Sequence, residues 1–206
     1  MGLRAKLVRQ FGDPSGALGR AVGFIMSHRP SNLERISWAV ALLNVQPTDC
    51  VLEIGYGPGV AIQILGGLAT EGFIYGVDRS QLMFEQAERR NRKLIRAGRV
   101  RLMAASASQL LSFDRTIDKV LDINSFQFWD DQVAVLAEIR KRLSRGGIIA
   151  IAHQPRNQGA TEQDTIKAGQ RISGHLAAAG YQDVRVEIKH MKPVPVVCVI
   201  GKTPFE

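Results

Sequence analysis

The sequence predicts one α/β domain, in which a mostly parallel seven-stranded sheet with its last strand antiparallel lies between two helical layers, behind a helical N-terminal segment. Three observations carry that expectation. From Asp49 onward, apolar strand-like runs alternate with stretches of helical period, the pattern of parallel β-α-β units. The run "VLEIGYGPG" (Val51–Gly59) joins a short apolar strand to a helix through a turn with three glycines. Only "HMKPVP" separates the last two strands, which is too short for a helical crossover, so they must pair antiparallel.

The elements follow in order. In residues 1–48, Leu3, Leu7, Val8 and Phe11 share one helical face, with Arg4, Lys6 and Arg9 elsewhere. Asp13-Pro14 caps and opens a second helix, where Leu18, Val22, Ile25 and Met26 recur at helical spacing. "HRP" breaks the chain, and "SNLE" (Ser31 to Glu34) has the capping-box spacing for a third helix reaching about Leu43. Strands are predicted over Cys50–Ile54, Phe73–Val77, Val100–Ala104, Lys119–Ile123, Gly147–Ala152, Val184–Ile188 and Val196–Ile200. Helices are predicted over Val60–Leu68, Ser80–Ala97, Asp131–Leu143 and Thr161–Ala179. Residues 1–206 thus form a single domain, with 1–48 a helical cap and 49–206 the core.

Composition narrows the class. A chain of 206 residues, 45% hydrophobic and 22% charged, suits one domain with a full core. Cys50 and Cys198 fall in apolar strands and read as buried thiols. No signal-peptide core or bilayer-length apolar run is present, and Lys6 stands where a myristoylation signal needs Ser or Thr, so a cytoplasmic protein is expected. The net charge of +8 gathers in "RRNRKLIRAGRVR" (Arg89 to Arg101) and "RKRLSR" (Arg140 to Arg145). Such clusters bind nucleic acid or anionic lipid, or simply form a solvated helix face.

A glycine turn between strand and helix fits a nucleotide-like cofactor, because bare backbone lets a ligand approach closely. The register Gly55-x-Gly57-x-Gly59 is wrong for the dinucleotide fingerprint. Glu53 precedes the first glycine, and Asp78 ends the next strand, where a carboxylate can accept both hydroxyls of a ribose. Carboxylates ending buried strands are expensive without a partner, which argues for ligand roles.

With those residues in view, "VLEIGYGPG", "GVDRSQLMFEQA" and "KVLDINSFQFWDD…LAEIRKRLSRGG" resemble three successive motifs of class I S-adenosylmethionine-dependent methyltransferases over about residues 48 to 152. The nearest likeness is to the bacterial group that includes ubiquinone/menaquinone C-methyltransferases and many small-molecule enzymes. The resemblance implies a Rossmann-like sheet, S-adenosylmethionine as cofactor and S-adenosylhomocysteine as product. It puts Gly55, Tyr56, Gly57 and Gly59 under the methionine portion and ribose, with Glu53 orienting the loop or meeting the methionine ammonium through water. Asp78 would accept the ribose hydroxyls, Arg79 and Met83 would flank the adenine, and Ala107 would offer its amide to the ring. Ser106 stands where the family usually has an adenine-binding Asp. Asp122 and Asn124 would lie beside the sulfonium. From the residues alone, Met83 also reads as core, and Asp122 as a buried acid paired with Lys119 or an arginine. Tyr56 reads as a pocket wall or a donor to the acceptor.

Methyl transfer from a sulfonium needs alignment and exclusion of water more than acid–base help. A base matters only for a protonated acceptor, and His153, just past the fifth strand, is the catalytic candidate by topology; it reads equally as a loop histidine. "NSFQFW" lacks the Pro-Pro-Tyr/Phe signature of base-modifying amino methyltransferases, so a nucleic-acid acceptor rests on charge alone. No His/Cys cluster has metal-ligand spacing. Met26, His28, Phe126 and Trp129 are the candidate substrate contacts, and together with Phe128 they favour an apolar, aromatic or lipid-like small molecule. The other readings are an RNA-associated methyltransferase and a non-catalytic cofactor-binding module. Residues 1–28, loosened by Gly12, Gly16, Gly19 and Gly23, are expected to act as an amphipathic lid that also touches an anionic membrane, on a monomer or homodimer.

Overall fold

The computed structural model describes residues 29–109 and 113–205. The expected lid over residues 1–28, its membrane contact, and the substrate positions Met26 and His28 lie outside those residues.

The described chain begins with α1 (Pro30–Leu43), β1 (Cys50–Ile54), α2 (Val60–Leu68), β2 (Phe73–Asp78), α3 (Gln81–Arg96) and β3 (Val100–Ala104). It continues with β4 (Ile117–Ile123), α4 (Gln132–Arg140), β5 (Leu143–His153), α5 (Glu162–Ala178), β6 (Gln182–Lys189) and β7 (Val196–Lys202). The strands form one seven-stranded sheet in the order β3-β2-β1-β4-β5-β7-β6. From β3 to β5 all neighbours are parallel, and β7 runs antiparallel to both β5 and β6, as the short "HMKPVP" link requires.

Alternation along the strands builds two cores. Val51, Leu121, Ala150 and Ala152 pack under α1, α2 and α3, against Leu43, Ile62 and Ala87. Their neighbours Leu52, Ile54, Val120, Ile149 and Ile151 pack under α4 and α5, against Leu136 and Ile172. Burial on both faces is why the central strands read as nearly continuous apolar runs. The chain lays β2 and β3 to one side of β1, then returns to place β4 on the other. Connections leave the carboxyl ends of β1 and β4 in opposite directions, and the cleft between them is where open α/β sheets bind ligands.

Helix starts follow local chemistry. The Ser80 hydroxyl accepts from the Met83 amide at 3.3 Å, Asp131 accepts from the Ala134 amide at 3.0 Å, and Thr161 with Asp164 forms a capping box. The box expected at Ser31 to Glu34 does not form. α1 starts at Pro30 behind Arg29, because proline's fixed φ is already helical and its missing N–H costs nothing at the first position. The helix expected to reach Leu143 ends at Arg140, since Leu143 already pairs with Ile117 in the β4–β5 ladder.

The basic run from Arg89 is partly structural. Arg90 donates to the Pro58 carbonyl at 3.0 Å, and Arg99 donates to the carbonyls of Gly66 and Ala69 at 2.5 and 2.6 Å. These bonds tie α3 and its following turn to both ends of α2. Cys50 and Cys198 are free and buried. Among the described residues no helix is long and apolar enough to cross a membrane.

Candidate active site

A cavity of about 760 Å³ opens at the carboxyl ends of β1, β2 and β4. Its floor is the glycine turn, and the three glycines answer three different constraints. Gly55 has φ +74°, its amide donates to the Val77 carbonyl at 2.7 Å, and a Cβ there would collide with the Ser125 side chain. Gly59, at φ +76°, precedes α2, and its Cβ would fall 2.8 Å from the Ala87 side chain, so α3 can pack closely only against glycine. A Cβ on Gly57 would meet nothing within 4 Å, so this residue's bareness leaves space for something outside the protein.

Two acids face that floor. Glu53 shares the face of β1 that meets α2, is 3% exposed, and takes a backbone hydrogen bond from Ile62 in the first turn of α2. Its Oε2 has no partner among the described residues. Burial, then the charges of Asp78 and Asp122, push its pKa well above the ordinary carboxylate range. Asp78 accepts from the Gly57 amide at 2.8 Å and the Ser80 amide at 2.9 Å, so it holds the glycine turn to the start of α3. Burial raises its pKa, opposed by those amides and Arg79. Each oxygen retains a lone pair for a ligand hydroxyl.

The side walls complete a slot. Met83, 2% exposed, and Ala107 face the cavity beside Ser106, whose Oγ lies 2.8 Å from Ser108 Oγ. The Arg79 guanidinium stands 5.5 Å over the Phe128 ring, linking the end of β2 to the turn after β4. Tyr56 is 3% exposed and donates to the Met103 carbonyl at 3.3 Å, so its ring forms wall and its hydroxyl is engaged.

Comparison with known proteins identifies this arrangement. A family described as "Methyltransferase domain" matches residues 51–147. The chain is 30% identical to the Bacillus subtilis (strain 168) protein "Uncharacterized methyltransferase YdaC" over 182 residues, 88% of this chain and 97% of that one. The chain belongs to the class I S-adenosylmethionine-dependent methyltransferases. Its fold is shared with the N-methyltransferase NodS from Bradyrhizobium japonicum WM9, solved with S-adenosylhomocysteine, at TM-score 0.70, 15% identity and 97% coverage of both chains. It is shared too with an Aquifex aeolicus SAM dependent methyltransferase, at TM-score 0.67, 19% identity and coverage of 84% of this chain and 93% of that one.

S-adenosylmethionine is the cofactor of this methyltransferase, and the floor suits it. An unpartnered carboxylate oxygen, an open glycine and an acid with spare acceptor capacity match an ammonium, a close-lying ligand and a ribose diol.

The far half of the methyltransferase cavity departs from the sequence expectations. Asp122 does not line it. The side chain is fully buried, accepts from the amides of Ser125 (3.2 Å) and Phe126 (3.1 Å) and from the Ser125 hydroxyl, and so caps the turn after β4. Neither Lys119 nor an arginine is its partner among the described residues, and burial raises its pKa to about 7. Phe126 also turns away: it is 1% exposed and packs edge-on to Trp129 in the core. Ser125 and Gln127 through Trp129 reach the cavity instead, because a one-turn 3-10 helix rotates Phe126 inward. Asn124 lines the cavity at φ +59°, a conformation Asn tolerates, and its Oδ1 accepts from the Gln154 amide at 2.8 Å, joining the ends of β4 and β5.

His153 does not line the cavity. β5 extends through it, and alternation puts its ring on the side of Ile149 and Ile151, with Nδ1 3.2 Å from Gln127 Oε1. Burial first, then Arg171, Arg35 and Arg156, lowers its pKa to about 4. His175 and His190 lie elsewhere, against Phe126 and Glu162.

One buried, cavity-lining charge escaped the sequence reading. Arg35 is 4% exposed on α1, lines the cavity, and donates to Gln154 Oε1 at 2.7 Å and to Asn32 Oδ1. The signal was present: Asn32 and Arg35 occupy the same helical stripe as Ile36, Ala39, Val40 and Leu43, so a charge stands on a buried face.

Proposed function

We propose that this enzyme methylates a small-molecule acceptor bound in the far half of the same cavity, with Glu53, Gly55, Tyr56, Gly57, Gly59, Asp78, Arg79, Met83, Ser106, Ala107 and Asn124 forming the cofactor half. The observation that carries the reading is continuity: one cavity runs from Gly57 and Asp78 to an apolar wall of Ile36, Phe128, Trp129 and Val194. S-adenosylmethionine supplies an electrophilic methyl on a sulfonium, with a neutral thioether as leaving group.

The protein's own task is then positional. Glu53 and Asp78 fix the ends of the cofactor, and the apolar wall holds the acceptor and excludes water. Among the described residues no histidine lines the cavity, and the Tyr56 hydroxyl is engaged and held above its ordinary pKa by burial, Asp78 and Glu53. With no such base among the described residues, an acceptor atom that is already nucleophilic is favoured, as an unprotonated amine, an ionised phenol or an enolate is. A phenolic or quinol-like ring suits both the wall and that requirement. A nucleic-acid acceptor gains no support here, since Arg90 and Arg99 of the basic run bond protein carbonyls.

Titration calorimetry tests the reading. S-adenosylhomocysteine should bind in the micromolar range, about −8 kcal/mol, and NAD should give no heat. Heat from NAD with none from S-adenosylhomocysteine overturns it.

A further inference from the structure

Three arginines gather along the wall of the cavity, and among the described residues no acid pairs with them. Arg29 stands just before α1, Arg35 is buried nearly two turns further on, and Arg156 lies on the loop after β5. Among the described residues none of the three forms an ion pair. Arg35 has, among the described residues, only neutral amides as partners, Gln154 and Asn32, and its Nε has none. The adjacent Glu34 is engaged elsewhere, with Lys189 at 3.2 Å.

A buried guanidinium satisfied by amides alone is costly, and two further cations nearby add repulsion. The strain is visible in neighbouring groups. Burial, then Arg156 and Arg29, brings the Arg35 pKa down to about 9, and the same cluster bears on His153. Outside the described residues the sequence holds two carboxylate side chains, Asp13 and Glu206, against Arg4, Lys6, Arg9 and Arg20. The cofactor does not balance the cluster, since it carries one carboxylate against an ammonium and a sulfonium, a net charge of about +1 at neutral pH by the usual ionisation of its groups.

We propose that the acceptor carries an anionic group, a carboxylate or a phosphate, seated against Arg29, Arg35 and Arg156, while its apolar body lies along Phe128 and Trp129. The inference rests on the methyl-transfer reading above and names the class of acceptor. Planar guanidinium groups match both oxyanions, each able to take two parallel N–H···O bonds. Asn32, held by Arg35, adds an amide beside them. Arg35 selects for charge because it is pre-placed: its contact with Gln154 fixes it to the loop whose Arg156 supplies the opposite jaw. A neutral acceptor would leave the three cations uncompensated.

The experiment uses the full chain saturated with S-adenosylhomocysteine, titrated with phenyl phosphate, benzoate and, as the neutral counterpart, benzamide. One or both anions should bind at least about tenfold tighter than benzamide, the effect of a charge-assisted hydrogen bond, and the tighter anion tells phosphate from carboxylate. Arg156→Gln, at a solvent-accessible position, should weaken the anion about tenfold or more and leave S-adenosylhomocysteine within about threefold, with Arg156→Lys intermediate. Binding of both phenyl phosphate and benzoate no tighter than that of benzamide overturns the proposal. So does an equal loss of S-adenosylhomocysteine affinity in Arg156→Gln, which would assign the arginines to the cofactor's carboxylate. Anion binding that appears only in Asp13→Asn overturns it as well, since the chain would then supply its own anion. Failure of S-adenosylhomocysteine to bind at all is a distinct result, and it removes the methyl-transfer reading itself.

Discussion

The two ends of the cavity are built differently. At the cofactor end, backbone does most of the work: three glycines at positive φ, a helix start, and amides held by Asp78, all within residues 51–80. At the proposed acceptor end, side chains converge from distant segments, with Arg35 on α1, Asn124 after β4, and Gln154 and Arg156 after β5. The contrast teaches that the two ends resist change differently. A backbone cradle cannot vary without moving strands, whereas a rim of loop and helix side chains can.

The contrast can be broken at several points. The largest expected effect lies at Asp122, which holds the acceptor-side turn from within the core. Its folded pKa of about 7 lies above the unfolded value. The folded state therefore keeps the proton longer, and this group's contribution is full below about pH 4 and lost as pH rises toward 7. Roughly three pKa units correspond to about 4 kcal/mol. In urea unfolding, the stability difference between the parent and Asp122→Asn should change by up to that amount between pH 4 and 7. A constant difference would mean that the turn does not depend on a buried acid.

Next come the glycines, which separate folding from binding. Gly59→Ala should cost about 3 kcal/mol of stability, from left-handed strain plus overpacking against α3. Gly57→Ala should cost only about 1–2 kcal/mol, the strain alone, yet weaken S-adenosylhomocysteine more, because its methyl enters the cavity. Should the two variants behave alike by melting and by calorimetry, the cradle is not what distinguishes the cofactor end.

Asp78→Ala should weaken S-adenosylhomocysteine by roughly 1.5–3 kcal/mol, the range for hydrogen bonds to a charged group. Asp78→Asn should lose less, because it keeps one acceptor. Parent-like affinity in the alanine variant would remove the ribose assignment. The smallest effect is expected at Phe128, 43% exposed, where loss of the contact with Arg79 should change stability by no more than about 1 kcal/mol. Phe128→Ala should instead raise the acceptor's KM while leaving S-adenosylhomocysteine binding intact.

The sequence by itself determined the sheet, the antiparallel finish and the cofactor corner. Those features follow from local rules: strand alternation, a link too short to cross over, glycines where backbone must be bare, and an acid ending β2. What tertiary structure decided is the direction in which side chains point once a strand ends. Asp122 and Phe126 lie in a stretch read as site-forming, but Asp122, near the end of β4, caps the turn that follows, and a single 3-10 turn aims Phe126 inward and sends Gln127 and Phe128 to the cavity. His153 sits in the expected place along the chain, and one more residue of β5 faces it away. Arg35 was legible only as a charge on an apolar stripe. That it meets Arg156 and Gln154 depends on α1 packing over the ends of strands more than a hundred residues away, a contact that no local pattern encodes.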